Sequence, residues 1–179
     1  LCYGSKQYGV LFLIEVSGTD PKTLAKLYDF VSTGGRVFCI GKYPEKSLGL
    51  KDYQARDKEV QEWVQKLQTY PERFILLEKP ADGAYLEWYQ QVMNQYQLPH
   101  AVTVTNPDRF LLHNHYRRDD KTDFFLFVNG HMHEGRQTDL IFSKEVVRGR
   151  QAWIWDPNTG EKYKIQLKAN RFTLDLGPA

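Results

Sequence analysis

The segment that most constrains the fold runs from Val10 to Gly41, where an apolar strand, a helix and a second apolar strand follow one another. The runs VLFLI and VFCIG are continuous and apolar, which is typical of strands buried on both faces of a sheet. Between them, Asp20 is a candidate N-cap, Pro21 suits the first helical position, and Gly34-Gly35 ends the helix. This order predicts a βαβ unit with parallel strands and helices covering the sheet.

Two more helices and one more strand extend this pattern as far as Pro99. The stretch LKDYQARDKEVQEWVQKLQTYPERF has one apolar helical stripe and ends its helix at Pro71. The stripe consists of Val60, Trp63, Val64 and Leu67. FILLEKP is a third strand candidate, and GAYLEWYQQVMNQYQLP is a third helix that Pro99 terminates. The organisation up to this proline is therefore α/β.

After Pro99 the apolar residues recur with period two. Runs of β-branched and aromatic residues alternate with turn clusters at a spacing of about ten residues, which predicts the antiparallel strands of a β-sandwich. The predicted domains are residues 1–98, α/β, and residues 99–179, all-β. Because no flexible linker separates the two halves, we expect them to pack against each other.

The charge balance argues against nucleic acid as a partner. The chain has 24 Lys and Arg against 22 Asp and Glu, a formal net charge of +2, and no basic stripe that could neutralise a phosphate backbone. No apolar run approaches the roughly 18 residues that span a bilayer, so we expect no membrane segment. Leu1 and Ala179 look like cut ends of a longer polypeptide, so the compartment stays open.

Four of the five histidines lie in HNHYRRDDKTDFFLFVNGHMH, from His113 to His133. Strand alternation places His113 and His115 on one face, and the segment DDKT turns the chain back as a β-hairpin. Two histidines at this spacing can ligate zinc if His131 or His133 converges on them. The sequence does not force that convergence, so we favour cross-strand histidines on a partly solvated face.

A metal-dependent hydrolase is nevertheless an alternative function, with His113, His115 and His131 acting together with Asp119 or Asp123. The letters H-N-H do not indicate an HNH nuclease, because that motif is spread over a ββα metal finger. The chain also lacks the basic surface that such nucleases use.

Three other residues could carry chemistry in the α/β half. Cys39 could be a nucleophile, but bulky neighbours replace the glycines of a nucleophile elbow, so we predict a buried free thiol. Glu15 and Glu78 follow apolar strands, where α/β sheets place their ligands. Paired carboxylates can act on a glycosidic bond. For these two we favour solvated strand ends or ion pairs.

The stretch WIWDPNTGEKYKIQL predicts a second hairpin, with proline and glycine in its turn. Its tryptophans, Trp153 and Trp155, and Trp88 in the third helix could stack on a sugar ring. Large aromatic residues in amphipathic elements more often belong to the core, so both interpretations stay open.

Several of these motifs, in this order, resemble the C-terminal region of large α-L-rhamnosidase-type glycoside hydrolases (family 106-like). The motifs are LAKLYDFVSTGGRVFCIGKYPEKSLGL, HNHYRRDDKTDFFLFVNG, AWIWDPNTGEKYKI and LDLGPA. The resemblance implies a flavodoxin-like domain, similar to class I glutamine amidotransferases and incomplete at its N-terminus, followed by an antiparallel β-sandwich.

The resemblance also implies a non-catalytic accessory region within a multidomain hydrolase. The family's catalytic carboxylates belong to an upstream (β/α) barrel, for which this chain is too short, so no catalytic residue and no cofactor is assigned here. The implied partners are the rest of the parent polypeptide, including the barrel, and carbohydrate. A periplasmic or secreted parent is compatible with this role. A protein-interaction module remains a further alternative.

Overall fold

The computed structural model describes residues 2, 3, 6–119 and 121–179, with side chains from residue 7 onward. The chain divides into two compact units, Leu1–Pro80 and Ala81–Ala179. No helix in the described part of the chain is both long enough and apolar enough to cross a membrane.

The first unit contains a three-stranded parallel sheet and two long helices. Its elements are β1 (Cys2–Tyr3), β2 (Lys6–Gln7), β3 (Val10–Ile14), α1 (Pro21–Ser32), β4 (Arg36–Ile40), α2 (Tyr53–Gln68) and β5 (Phe74–Leu77). Strands β3, β4 and β5 lie side by side in chain order, and both pairings are parallel. The predicted βαβ unit and third strand are thus confirmed.

Local sequence explains where α1 begins and ends. The Asp20 side chain accepts a hydrogen bond from the N–H of Lys22 at 2.9 Å, which caps the helix start. At the other end Gly34 has φ +107°, a conformation that strains other residues. A Cβ on Gly35 would lie 2.3 Å from the Phe30 ring, so this position also requires glycine. The Gly-Gly pair therefore ends the helix and lets the chain enter β4.

The core of the first unit lies between α1, α2 and one face of the sheet. Its buried members are Leu24, Leu27, Phe30, Val31, Val37, Cys39, Val60, Val64, Leu67 and Phe74. On the opposite face of β4, Phe38 is also fully buried and stacks on Phe12, with ring centroids 5.1 Å apart. The central strand is therefore buried on both faces, as its continuous apolar sequence predicts.

The second unit contains one helix of three turns and antiparallel strands. Its elements are α3 (Tyr85–Gln95), β6 (Val102–Val104), β7 (Leu111–Asp119), β8 (Thr122–Asn129), β9 (Arg136–Phe142), α4 (Lys144–Val147), β10 (Ala152–Trp155), β11 (Lys162–Ile165) and β12 (Arg171–Leu176). Strands β12, β9 and β6 form a sheet, while β7–β8 and β10–β11 are two-stranded hairpins. The predicted change to antiparallel strands after α3 is confirmed. The two compact units divide at Pro80, before α3, whereas the sequence places the boundary after this helix. The domain limits 1–98 and 99–179 stay predictions.

Candidate functional site

The histidine-rich stretch forms the β7–β8 hairpin, as predicted. His113 lies opposite Phe127 and His115 opposite Phe125, so all four side chains share one face, which we call the histidine face. The His115 ring stacks on Phe125 with centroids 4.4 Å apart and planes 5° apart. The His113 ring stacks on Phe127 at 5.9 Å. Each histidine is thus packed against its cross-strand phenylalanine.

Asp123 is the charged centre of the histidine face. Its side chain is 3% exposed and accepts hydrogen bonds from His115 Nε2 at 2.6 Å and Arg117 Nε at 2.9 Å. Arg150 donates to the second carboxylate oxygen. Burial works to raise the pKa of Asp123, but these three donors together hold it below its ordinary value. Asp123 is therefore a buried carboxylate stabilised by two guanidinium groups and an imidazole.

Asp119 and His131, which the metal hypothesis also includes, have other roles. Asp119 Oδ1 accepts a hydrogen bond from the N–H of Lys121 at 2.8 Å and so orders the hairpin turn. His131 lies in the loop after β8, where its Nδ1 faces the backbone N–H groups of Glu134 at 3.1 Å and His133 at 3.4 Å. Both backbone groups are donors, so Nδ1 of His131 acts as their acceptor.

The candidate metal ligands are therefore not brought together. His113 and His115 pack within the hairpin, whereas His131 contacts Phe110 edge-on at 4.8 Å. Within the described residues, no group of three or more His, Cys, Asp and Glu side chains could hold a metal ion. The cavity beside His131 has a volume of about 120 Å³, well below the roughly 300 Å³ of small-ligand pockets.

Asn129 fixes the loop that carries His131. Its buried amide donates to the carbonyls of Glu134 at 2.7 Å and Gly177 at 2.9 Å, and its Oδ1 accepts from the N–H of His131 at 3.1 Å. Asn129 thereby ties the end of β8 to residues far along the chain.

In the first unit, Glu15 lies at the carboxyl edge of the parallel sheet and forms an ion pair with Lys79 at 2.8 Å. The hydrogen bond and positive charge of Lys79 lower the pKa of Glu15. Glu78 is exposed. Cys39 is a buried free thiol, as predicted, and burial raises its pKa to about 12. That thiol is protonated at neutral pH and is not an activated nucleophile.

The second hairpin presents its tryptophans to solvent. Trp153 and Trp155 are 57% and 56% exposed, so the core interpretation is wrong for both, whereas Trp88 is half-buried in α3. The turn is ordered by Asp156, whose Oδ1 accepts from the N–H of Asn158 at 2.8 Å. Across the hairpin, Lys162 Nζ lies 4.5 Å from the centroid of the Trp155 ring.

A sequence profile of glycoside hydrolase family 106, described as alpha-L-rhamnosidase, matches residues 1–169. The chain belongs to the alpha-L-rhamnosidase family. This finding confirms the resemblance carried by the sequence motifs. No curated protein sequence matches the chain.

The fold of this alpha-L-rhamnosidase family chain is similar to part of a solved structure, the rhamnosidase from Novosphingobium sp. PP1Y. The two superpose with a TM-score of 0.55 and 18% sequence identity over 87% of this chain. The matched region makes up 14% of that rhamnosidase, so the chain spans a small part of its length.

Two features of this rhamnosidase-family chain are not predicted from its sequence. The network of Asn129 depends on contacts with Gly177, 48 residues away. The lysines of β11 lie opposite the tryptophans of β10 only because of the hairpin register. The period-two alternation of KYKI beside WIW is the one sequence signal that could have indicated the second feature.

Proposed function

We propose that this chain is a non-catalytic accessory region of a large carbohydrate-degrading glycoside hydrolase. In this role it packs against a catalytic barrel that lies outside the chain. Family membership supports the glycoside hydrolase context. The parallel sheet has three strands among the described residues, whereas a (β/α) barrel needs eight.

The observation that carries the proposal is an exposed apolar surface on the β7–β8 hairpin, on the side opposite the histidine face. We call it the outer face. Its apolar members are Leu112 (62% exposed), Tyr116 (53%), Phe124 (39%), Leu126 (59%) and Val128 (43%). Cross-strand pairing makes them neighbours, since Leu112 lies opposite Val128 and Tyr116 opposite Phe124. Contiguous apolar surface of this kind marks an interaction site. The proposed occupant is the catalytic barrel of the same polypeptide.

The carboxylates of the candidate sites support a non-catalytic role. Asp123 is enclosed by His115, Arg117 and Arg150, and its carboxylate is a structural ion-pair partner. Glu15 is paired with Lys79. An acid that hydrolyses a glycosidic bond must instead reach the substrate and change its protonation state.

The finer fold assignment belongs to the same proposal. The parallel sheet, with strands in chain order and α1 and α2 on one face, is taken as part of a flavodoxin-like, amidotransferase-like domain. The antiparallel strands of the second unit are taken as a β-sandwich. Superposition on a rhamnosidase at a TM-score of 0.55 is compatible with both assignments.

Hydrolysis of aryl α-L-rhamnosides tests the accessory role. The 179-residue chain and the full open reading frame are assayed side by side, at equal molar concentration. We expect activity in the long polypeptide alone. Hydrolysis by the chain itself would contradict the proposal and return attention to Glu15, Glu78 and His113.

A second experiment tests the outer face as the docking surface. Leu126→Asp is introduced into the long polypeptide, and Leu50→Asp, at a position that is 91% exposed in the first unit, is the matched control. A charge buried at an interface is costly, so we expect Leu126→Asp to lower the melting temperature, unlike the control. Equal melting temperatures would remove the outer face from the interface.

A protein-interaction module is the second candidate function, because the same outer face could bind a separate protein. The two candidates differ in the long polypeptide. If the catalytic barrel covers the outer face, the long protein sediments as a monomer, and hydrogen exchange in β7–β8 is slower than in the isolated chain. Unchanged exchange in β7–β8 would favour a separate partner.

A further inference from the structure

We propose that one face of the β10–β11 hairpin binds an acidic polysaccharide. Sugar rings stack on Trp153 and Trp155, and uronate carboxylates pair with Lys162 and Lys164. We call this surface the Trp–Lys face. The inference rests on the proposed role of the chain in a carbohydrate-degrading enzyme, and it names the class of ligand that the accessory region contacts.

Hairpin register brings the four side chains to one face. Trp153 lies directly opposite Lys164, and Trp155 opposite Lys162. Directly opposite residues of an antiparallel pair share a face, and residues at i and i+2 of one strand are about 7 Å apart. The two indoles therefore form a row along β10, and the two lysines form a parallel row along β11.

The two faces of this hairpin differ in burial. Ile154 and Ile165, which lie on the opposite face, are half-buried. Trp153 and Trp155 remain more than half exposed. An indole combines a broad apolar surface with one N–H donor, so it suits the C–H faces and hydroxyl groups of a sugar. The fold thus holds two such platforms in solvent at a fixed spacing.

The lysines give the surface its selectivity for acidic sugars. Neither Lys162 nor Lys164 has an ion-pair partner among the described residues. The carboxylates nearest in sequence are engaged elsewhere: Asp156 accepts turn N–H groups and Glu161 accepts the hydroxyl of Tyr163. Both carboxylates keep their charge, but Asp156 is directed into the turn and Glu161 towards Tyr163 on the opposite face, so the Trp–Lys face itself carries two ammonium groups beside the indoles. A polymer with regularly spaced carboxylates is the complementary ligand.

Affinity electrophoresis of the 179-residue chain tests this inference, with polygalacturonate in the gel as the acidic probe and dextran as the neutral one. We expect polygalacturonate to retard the chain, less so at higher salt because the lysine–carboxylate pairs are exposed. Trp153→Ala with Trp155→Ala, and separately Lys162→Gln with Lys164→Gln, should each weaken binding at least about tenfold. Quenching of indole fluorescence by the polymer supplies a second readout.

The matched control is Lys51→Gln with Lys58→Gln, which removes the same charge from exposed positions of the first unit. It should bind polygalacturonate like the unaltered chain. Equal weakening by both lysine pairs would reduce the effect to general charge attraction and overturn the proposal. Equal retardation by dextran, or no retardation of the unaltered chain, would overturn it as well.

Failure here is distinguishable from failure of the accessory role. A chain that binds no polymer, beside a long polypeptide that alone hydrolyses rhamnosides, would leave the accessory role in place. Rhamnoside hydrolysis by the chain would contradict that role while leaving the binding result to stand on its own measurement. Circular dichroism of each variant separates lost binding from lost folding, and all four substituted side chains are exposed.

Discussion

The two faces of the β7–β8 hairpin come from one alternating sequence, yet one face is packed against the protein and the other is exposed. The histidine face carries histidine, arginine and aspartate, and it is the packed side: Phe125 contacts Phe142 of β9, and Asp123 is 3% exposed. The outer face carries most of the aliphatic residues and is exposed, with Leu112 at 62% and Leu126 at 59%. Alternation therefore predicts which residues share a face, while polarity alone does not predict which face is covered.

Among the substitutions that test this comparison, we expect the largest loss of stability at the centre of the histidine face. Asp123→Ala leaves His115, Arg117 and Arg150 without their shared acceptor, so we expect the free energy of unfolding to fall by about 3 kcal/mol. Denaturant unfolding followed by circular dichroism measures it. Asp175→Ala, at an exposed position of β12, is the control and should have no effect. A loss below about 1 kcal/mol at Asp123 would mean that the network is only a surface ion pair.

Two adjacent residues of β8 sharpen the difference between the faces. Phe125→Ala removes ring contacts with His115, Phe127 and Phe142, and should lower the free energy of unfolding by about 2 kcal/mol. Leu126→Ala, one position along on the outer face, should change it by less than about 0.5 kcal/mol in the isolated chain. The same denaturation experiment compares them. Equal losses would show that both faces are packed in solution.

Much of the fold could be predicted from the sequence, because its signals are local. The N-cap and glycine pair bound α1, the continuous apolar run indicates the buried strand with Cys39, and the turn segment gives the hairpin of His113 and His115. The candidate sites depend on contacts between distant residues. Arg150 reaches Asp123 across 27 residues, and no local pattern indicates that pair. The exposure of Trp153 and Trp155 likewise depends on which side of their hairpin is buried in the fold.

A smaller effect than these substitutions is expected from pH, which changes how much the Asp123 carboxylate contributes to stability. Three donors outweigh burial and lower the pKa of Asp123 in the folded chain. A carboxyl whose pKa is lower in the folded state stabilises the fold above its unfolded pKa of about 3.9. That contribution disappears as the pH falls through this value towards the folded pKa.

The stability difference between the unaltered chain and Asp123→Asn should therefore be largest near neutral pH and shrink in acid. Denaturation at a series of pH values measures it, and taking the difference cancels the contributions of the other carboxyl groups. A difference that stays constant into acid would show that hydrogen bonding and shape, rather than charge, account for the role of Asp123.

Among the changes on the histidine face, the smallest loss of stability is expected at its edge. His113 is exposed and contacts Phe127 through ring stacking at 5.9 Å, so His113→Ala should lower the free energy of unfolding by less than about 1 kcal/mol.

The same variant tests the hypothesis of a metal-dependent hydrolase. A metal enzyme built on this hairpin would purify with a near-stoichiometric ion and lose it on His113→Ala, as elemental analysis would detect. We expect the same metal content in both proteins, because His131 has its Nδ1 occupied by backbone donors and the hairpin histidines pack against phenylalanine. Loss of a bound ion would instead make the histidine face a reaction centre and reverse the functional assignment of the two faces.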